Sequence, residues 1–420
     1  MAETLEATEQ VASSTELKPG WRVVRFGGVV SNVDVSERQP LEQGLERFVG
    51  LDHLDPESLH IKRWGLIEEG TSFTRKFVSG QVLFGKRRAY QRKAAMAEFD
   101  GICSGDILVF EPKGDELLPE LLPFIVQSDG FFEHALGTSA GSLSPRTKWS
   151  DLARYEFALP PKDEQRRIAD ILWAADDVVK KDLVSQEALA QFQTVQTEQF
   201  LSKGMQGWHS RYVKTPIGSL PESWQCLSCN DLFSEKPRNG LSPEANAEGV
   251  GYPTLSIGAV RDGQIVAEGN VKYAVIGQDE AEKFQLKKGD VLIVRGNGNR
   301  NLVGRCGVVD DVPEGCFYPD LLIRIKFDET KLRSQFACLQ WNSSTAHRRL
   351  LARAKSTNGI WKVNGQDLRQ HTLAVPHIEE QDAFLRMVEP NFKLTKQTQE
   401  KVNSSRTLKK RLVNSLISFK

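Results

Sequence analysis

The chain holds 420 residues, 40% hydrophobic and 26% charged, proportions that exclude a largely disordered chain, a collagen-like chain or a coiled-coil fibre. At roughly 100 to 200 residues per domain, two or three domains are expected rather than one small one. Lys plus Arg and Asp plus Glu each total 55, so any nucleic acid must be bound through local basic patches and not by a global positive field.

Residues 1–18 read as a disordered tail. They are acidic and polar where a signal peptide would be basic and then apolar, and no apolar run nears the roughly 18 residues that span a bilayer. A cytoplasmic protein without membrane association is expected, and its six cysteines should be thiols. The first domain, 19–160, opens on Pro19-Gly20-Trp21-Arg22-Val23-Val24. Short apolar runs at 81–84 and 107–110, punctuated by Gly and Asp, read as strands joined by turns. Between them, Lys86, Arg87, Arg88, Tyr90, Arg92 and Lys93 put five cations and an aromatic in eight residues without an acid. Such a run can neutralise phosphates, and Arg can pair bidentately with guanine, although a solvated basic loop would have the same composition.

A spacer helix is expected over 161–207. Residues 163–203 lack proline, begin with acids, and place Ile168, Leu172, Ala175 and Val179 at helical spacing. Asp182, Gln186 and Gln193 break that stripe, which leaves open a helix packed only on its own domain. The second domain, 208–376, brings apolar runs at 291–295, 303–309 and 321–327. A loop rich in Asn and Arg follows the first of these: Arg295, Asn297, Asn299, Arg300, Asn301 and Arg305. Asn suits adenine edges and Gly admits close backbone approach, while Asn-Gly is equally a turn signal. Lys355 and Asn358 sit in a further polar loop and are weaker candidates. A second helix, 377–420, carries Leu394, Leu408, Leu412 and Leu416 as a packing stripe, with a kink or restart expected at Pro390. Residues 163–203 hold eight acids and five bases, and 378–420 five acids and nine bases, so the two helices should pair.

The halves repeat. Asp151-Leu152 followed by Leu159-Pro160-Pro161-Lys162-Asp163-Glu164-Gln165 recurs as Asp367-Leu368 followed by Val375-Pro376-His377-Ile378-Glu379-Glu380-Gln381, offset by 216. Upstream, Trp21 is echoed by Trp224, and Gly105-Asp106-Ile107 by Gly289-Asp290-Val291. The resulting fold class is α+β: two globular domains separated by two long helices.

Two variable domains, each leading through this Leu-Pro-Pro-x-x-Glu-Gln-like segment into a long helix, resemble the specificity subunits of type I restriction-modification systems. The resemblance covers nearly the whole chain from Lys18. It implies a non-catalytic reader of double-stranded DNA, in which two target-recognition domains read the halves of an asymmetric split site and the two long helices form an antiparallel coiled coil that fixes the gap between them. It further implies docking of two adenine-methylating modification subunits, with restriction/translocase subunits joining that core. S-adenosylmethionine, ATP and magnesium would then belong to the partners, with no cofactor on this chain. His377 and Pro390 depart from the family pattern in the second copy.

Other motifs weigh against these. Gly80 to Lys86 has phosphate-loop spacing, but Arg87 stands where Ser or Thr must hold magnesium. Asp320, Glu329 and Lys331 imitate a metal-dependent nuclease, the runner-up function; a pure scaffold is the third. Cys226, Cys229, Cys306 and Cys316 could form a zinc site, yet aligned on the tryptophans Cys226 and Cys229 replace Val23 and Phe26, which favours buried thiols. No histidine is assigned a catalytic role, and Trp21 and Trp224 are expected in cores.

Overall fold

A computed structural model describes residues 17–141, 144–246, 248–261 and 263–417; the expected tail lies almost wholly outside them. The chain divides into two compact units, Met1–Val184 with Gln399–Lys420, and Ser185–Thr398. Two long helices, Lys162–Lys203 and Ile378–Ile417, each contribute one segment to either unit.

In the first unit, strand Arg22–Arg25 pairs antiparallel with Glu156–Leu159, the strand that leads into the first long helix. One four-stranded sheet runs in the order Val30–Asn32, Ile107–Pro112, Val82–Gly85, Ala94–Met96. A second combines Gly65–Leu66, Arg47–Val49, Gly101–Cys103 and Arg75–Phe77. Helices Leu122–Gln127 and Asp129–Gly137 cover the first sheet, and Ser128 between them accepts the Phe131 N–H as a cap. Phe26 meets Phe110 edge-on and Phe131 tilted, and Phe84 meets Phe131 edge-on and stacks on Phe110, in the core that Ile168 and Leu172 of the first long helix and Val413 and Ile417 of the second complete.

The second unit repeats this plan with insertions. Strand Gln225–Ser228 pairs with Thr372–Val375, and a six-stranded sheet contains Phe233–Asn239, Leu322–Phe327, Val291–Val294 and Cys306–Val308 in that order. Helices Ser334–Asn342 and Ser344–Leu351, capped by Ser343, take the place of the helical pair. Trp224 is buried, its indole N–H donating to Glu380 at 2.8 Å.

The strand order corrects one repeat drawn from sequence. The counterpart of Gly289-Asp290 is Gly80-Gln81, not Gly105-Asp106. Gly80 and Gly289 adopt φ of 90° and 89°. Gln81 accepts the Val78 N–H and Asp290 the Lys287 N–H, each three residues back and each at 2.9 Å. A short Gly-Asp match was outweighed by the turn geometry that both strands need.

The 216-residue repeat has a structural cause. The Gln165 side chain accepts the Leu118 N–H and donates to the Glu116 and Pro160 carbonyls, all at 2.9 Å. Gln381 accepts the Arg333 N–H and donates to the Lys331 and Pro376 carbonyls, again at 2.9 Å. One buried carboxamide thus ties each long helix to the loop that precedes the helical pair and to the strand before it.

Within each unit the two helical segments run antiparallel. In the first, Asp176 meets Lys409 at 2.5 Å, and Asp182 meets Lys401 at 2.8 Å and Ser405 at 2.6 Å. In the second, Gln193 donates to Thr395 and Asn391 to Gln196, both at 2.8 Å, and Phe200 stacks on Phe384 with centroids 3.8 Å apart. Two of the residues that interrupt the apolar stripe, Asp182 and Gln193, are therefore seam contacts. Ile168, Leu172 and Val179 are buried, and Ala175, Leu412 and Leu416 partly so. Leu394 and Leu408 instead face outward, because the buried line of the second helix runs through Val402, Lys409, Val413 and Ile417. Pro390 causes no restart: the helix is continuous from Ile378 to Ile417. A proline removes one backbone hydrogen bond, and here the packing of Phe384, Val388 and Phe392 holds the helix together.

Two outcomes follow from these contacts. Gln381→Leu strands one N–H and two carbonyls, and should cost on the order of 1–3 kcal/mol in denaturant unfolding; an unmoved midpoint would remove the clamp from the account. His371 is buried in the second unit, and burial, with the nearby Arg349, Arg353 and His347 charges, pushes its pKa from 6.5 down to about 3. The folded state therefore needs it neutral, whereas the unfolded chain binds a proton below about pH 6.5. Stability should fall as pH drops from about 6.5 toward 3, by up to roughly 1.4 kcal/mol per unit, and His371→Phe should flatten that slope. Chemical denaturation across this pH range measures both.

Candidate nucleic-acid interface

The two loops singled out by composition occupy the same place in their units. Residues 86–93 connect Val82–Gly85 to Ala94–Met96, and 295–305 connect Val291–Val294 to Cys306–Val308. Both begin on matched backbone bonds: the Lys86 N–H donates to Asp106 at 3.0 Å, and the Arg295 N–H to Leu321 at 2.8 Å. Both carry one 3-10 turn, Ala89–Gln91 and Arg300–Leu302. Each loop then receives a segment from just before the long helix. The Thr147 N–H donates to the Lys86 carbonyl and the Val363 N–H to the Arg295 carbonyl, both at 2.9 Å, and Thr147 and Val363 are themselves 216 residues apart.

In the first unit, Arg87 and Arg146 form a β-bridge, and Arg87 donates to Ser144 at 2.7 Å. Arg146 pairs with Asp106 at 3.0 Å, and this bond, reinforced by Arg87 and Lys86, holds the Asp106 carboxyl below its ordinary range despite partial burial. Arg88 takes a left-handed conformation, φ 56°, which turns it to solvent beside the exposed Tyr90. Lys86, Arg87 and Arg146 thus surround a single acid, Asp106.

The other two cations of the run belong to the fold. Arg92 pairs with Glu57 at 3.1 Å and Asp129 at 2.7 Å, and lies 4.6 Å over the Phe132 ring. Lys93 donates to the Leu51 carbonyl at 2.5 Å. Composition counted them as contacts, but their charges are already engaged.

In the second unit, Arg295 faces Asp320 at 3.4 Å, and Arg305 donates to the Asn342 carbonyl at 2.6 Å, so both are structural. Asn297 and Asn299 accept the N–H groups of Asn299 and Asn301, which builds the loop as successive turns. Arg300 is exposed and sits 4.5 Å over Trp361. Strand Gly296–Asn297 pairs with Ile360–Lys362, which pairs in turn with Lys355–Thr357, so Lys355 and Asn358 join the same site.

Arg146, Trp361 and Lys362 were missed by sequence reasoning. A signal existed, because Arg146 and Lys362 are cations separated by the same 216 residues as the helix lead-in.

The rival chemistries do not assemble. Asp320 and Glu329 flank opposite ends of strand Leu322–Phe327, about 20 Å apart at the strand rise. Glu329 caps Ser334 at 3.0 Å and Lys331 pairs with Asp328 at 3.4 Å. Cys229 and Cys306 lie in one core and Cys316 in another, and no cluster of three or more metal-ligating side chains occurs among the described residues.

Comparison with known proteins agrees with this geometry. The pattern of the family described as type I restriction modification DNA specificity domain matches residues 65–186 and 221–404. The EcoKI specificity subunit of Escherichia coli K12 is 28% identical over 294 residues, which cover 67% of this chain but only 60% of that subunit. The MjaVIII specificity subunit of Methanocaldococcus jannaschii is 22% identical over 427 residues, 95% of this chain and 92% of that one. The crystal structure of the S subunit of a type I restriction-modification system from M. genitalium aligns over 98% of this chain and 99% of its own, with a TM-score of 0.52 at 12% identity, a likeness of fold. With matched loops in both units and the family pattern spanning most of both, the chain belongs to the type I restriction modification DNA specificity domain family.

Proposed function

We propose that this chain is the DNA-reading subunit of a type I restriction-modification complex. It would recognise a bipartite, asymmetric duplex site and act in the cytoplasm. The observation that carries this reading is the occurrence, at topologically equivalent positions, of one cationic loop braced by one pre-helix segment in each unit. The two loops differ in sequence throughout, so the half-sites should differ too. No helix among the described residues is long and apolar enough to cross a membrane.

The partners in this reading are double-stranded DNA, two methyltransferase subunits and the restriction/translocase subunits. S-adenosylmethionine, ATP and magnesium are held by those partners. The outward side chains Leu394 and Leu408, together with Phe192 and Val195, give the long helices apolar surface for docking.

Adenine methylation mapped in DNA from cells with and without this chain tests the function directly. A split, non-palindromic motif that disappears with the chain is expected; unchanged methylation would reject the proposal. The two kinds of cation should also separate. Arg88→Gln should reduce the slope of log affinity against log salt by about 0.9, one phosphate contact, with stability unchanged. Arg92→Gln should leave that slope intact and destabilise the first unit by on the order of 1–3 kcal/mol. Salt titration and denaturant unfolding of both variants decide the assignment, and a reversed pattern would exchange their roles.

A further inference from the structure

Resting on that reading, we infer that the hairpin of residues 355–362 is the element of the second unit that enters the DNA major groove, with Asn358 reading a base edge and Lys355 and Lys362 gripping phosphates.

The charge pattern comes first. Residues 330–366 contain seven Lys or Arg and no Asp or Glu, in a chain whose net charge is zero. Lys355 and Lys362 are direct cross-strand partners in the hairpin. Like charges placed opposite one another destabilise a strand pair. In the first unit the residue at the matching place, Arg146, is neutralised by Asp106 at 3.0 Å. Among the described residues no carboxylate pairs with Lys355 or Lys362, and both are exposed. An arrangement that is unfavourable alone becomes favourable when an anion lies across it, and a duplex supplies phosphates at regular intervals.

Shape agrees. Asn358 and Gly359 have φ of 51° and 76°, the positive pair that a two-residue hairpin turn needs to match strand twist. The third strand reaches only the base of the hairpin, with Gly296 opposite Lys362 and Asn297 opposite Trp361. The tip is left exposed, and a Cβ added at Gly359 would meet nothing within 4 Å. Strands Lys355–Thr357 and Ile360–Lys362 are each about 10 Å long, comparable with a major groove about 8.5 Å deep that admits a two-stranded ribbon. Arg300 over Trp361 fixes the base of this ribbon on the cationic loop. The uncharged, outward side chain at the tip is Asn, whose amide can pair bidentately with adenine.

The test is selection of randomised duplexes by the full-length chain assembled with its methyltransferase subunits, followed by sequencing. Asn358→Gly removes the side chain while keeping a residue that tolerates positive φ, so the turn survives. It should erase the preference at one or two adjacent base pairs of one half-site, a loss of about 5- to 150-fold in discrimination, and leave the other half-site intact. Lys355→Gln with Lys362→Gln should retain the motif while lowering the salt slope by up to about 1.8. If Asn358→Gly selects the wild-type motif in both halves, or the double lysine variant keeps the wild-type slope, the inference is overturned and the DNA-reading proposal stands. If the wild-type assembly selects no motif, both fall.

Discussion

A carboxylate buried in the seam between two helices is tolerable only if its charge is met. Asp176 is 3% exposed, and burial alone would raise its pKa; the His60 hydrogen bond and the Lys409 ammonium outweigh that and keep it lower than usual. Lys409 in turn is 8% exposed. The Lys409 ammonium would be strongly unfavourable without that carboxylate, so sliding one helical segment along its partner in the first unit would strand it. His60, held also by Glu98, has its pKa raised chiefly by Asp176 and joins the recognition fold to the same seam. An apolar stripe alone would allow several registers; matched polar residues select one.

The second requirement is that each recognition fold be attached to its helix in a fixed manner. The Gln165 and Gln381 carboxamides do this with three hydrogen bonds each, to groups supplied by equivalent segments. This explains why the lead-in is duplicated while the loops are not. The clamp demands one side chain with a donor and an acceptor at one place, whereas the loops need only leave the same pair of strands and be braced from the same side. A common frame carrying unlike cationic loops is what the proposed reading of two unlike half-sites requires.

Much of this was legible in the sequence because it depends on local rules. The 216-residue offset, the strands, both helices and the two loops could all be drawn from periodicity, turn residues and repetition. The equivalence of the two loops could not, because the offset there is 209 (Gly80 to Gly289) and a nearer Gly-Asp pair misled the alignment. Nor could composition distinguish Arg88 from Arg92, since what separates them is whether Glu57 and Asp129 lie within reach after folding. The apolar stripe includes Leu408 and passes over Lys409, because a lysine reads as a surface residue until a buried aspartate appears opposite it.

A double-mutant cycle on Asp176 and Lys409, read by denaturant unfolding, tests the seam most directly. Asp176→Leu should cost on the order of 3–5 kcal/mol, because it leaves the Lys409 ammonium buried and uncompensated; Lys409→Leu should cost less, because His60 still meets the carboxylate, and the double variant should recover most of the Asp176→Leu loss. Two small effects that simply add would contradict the account, for they would mean that the helices are not held in register by this pair.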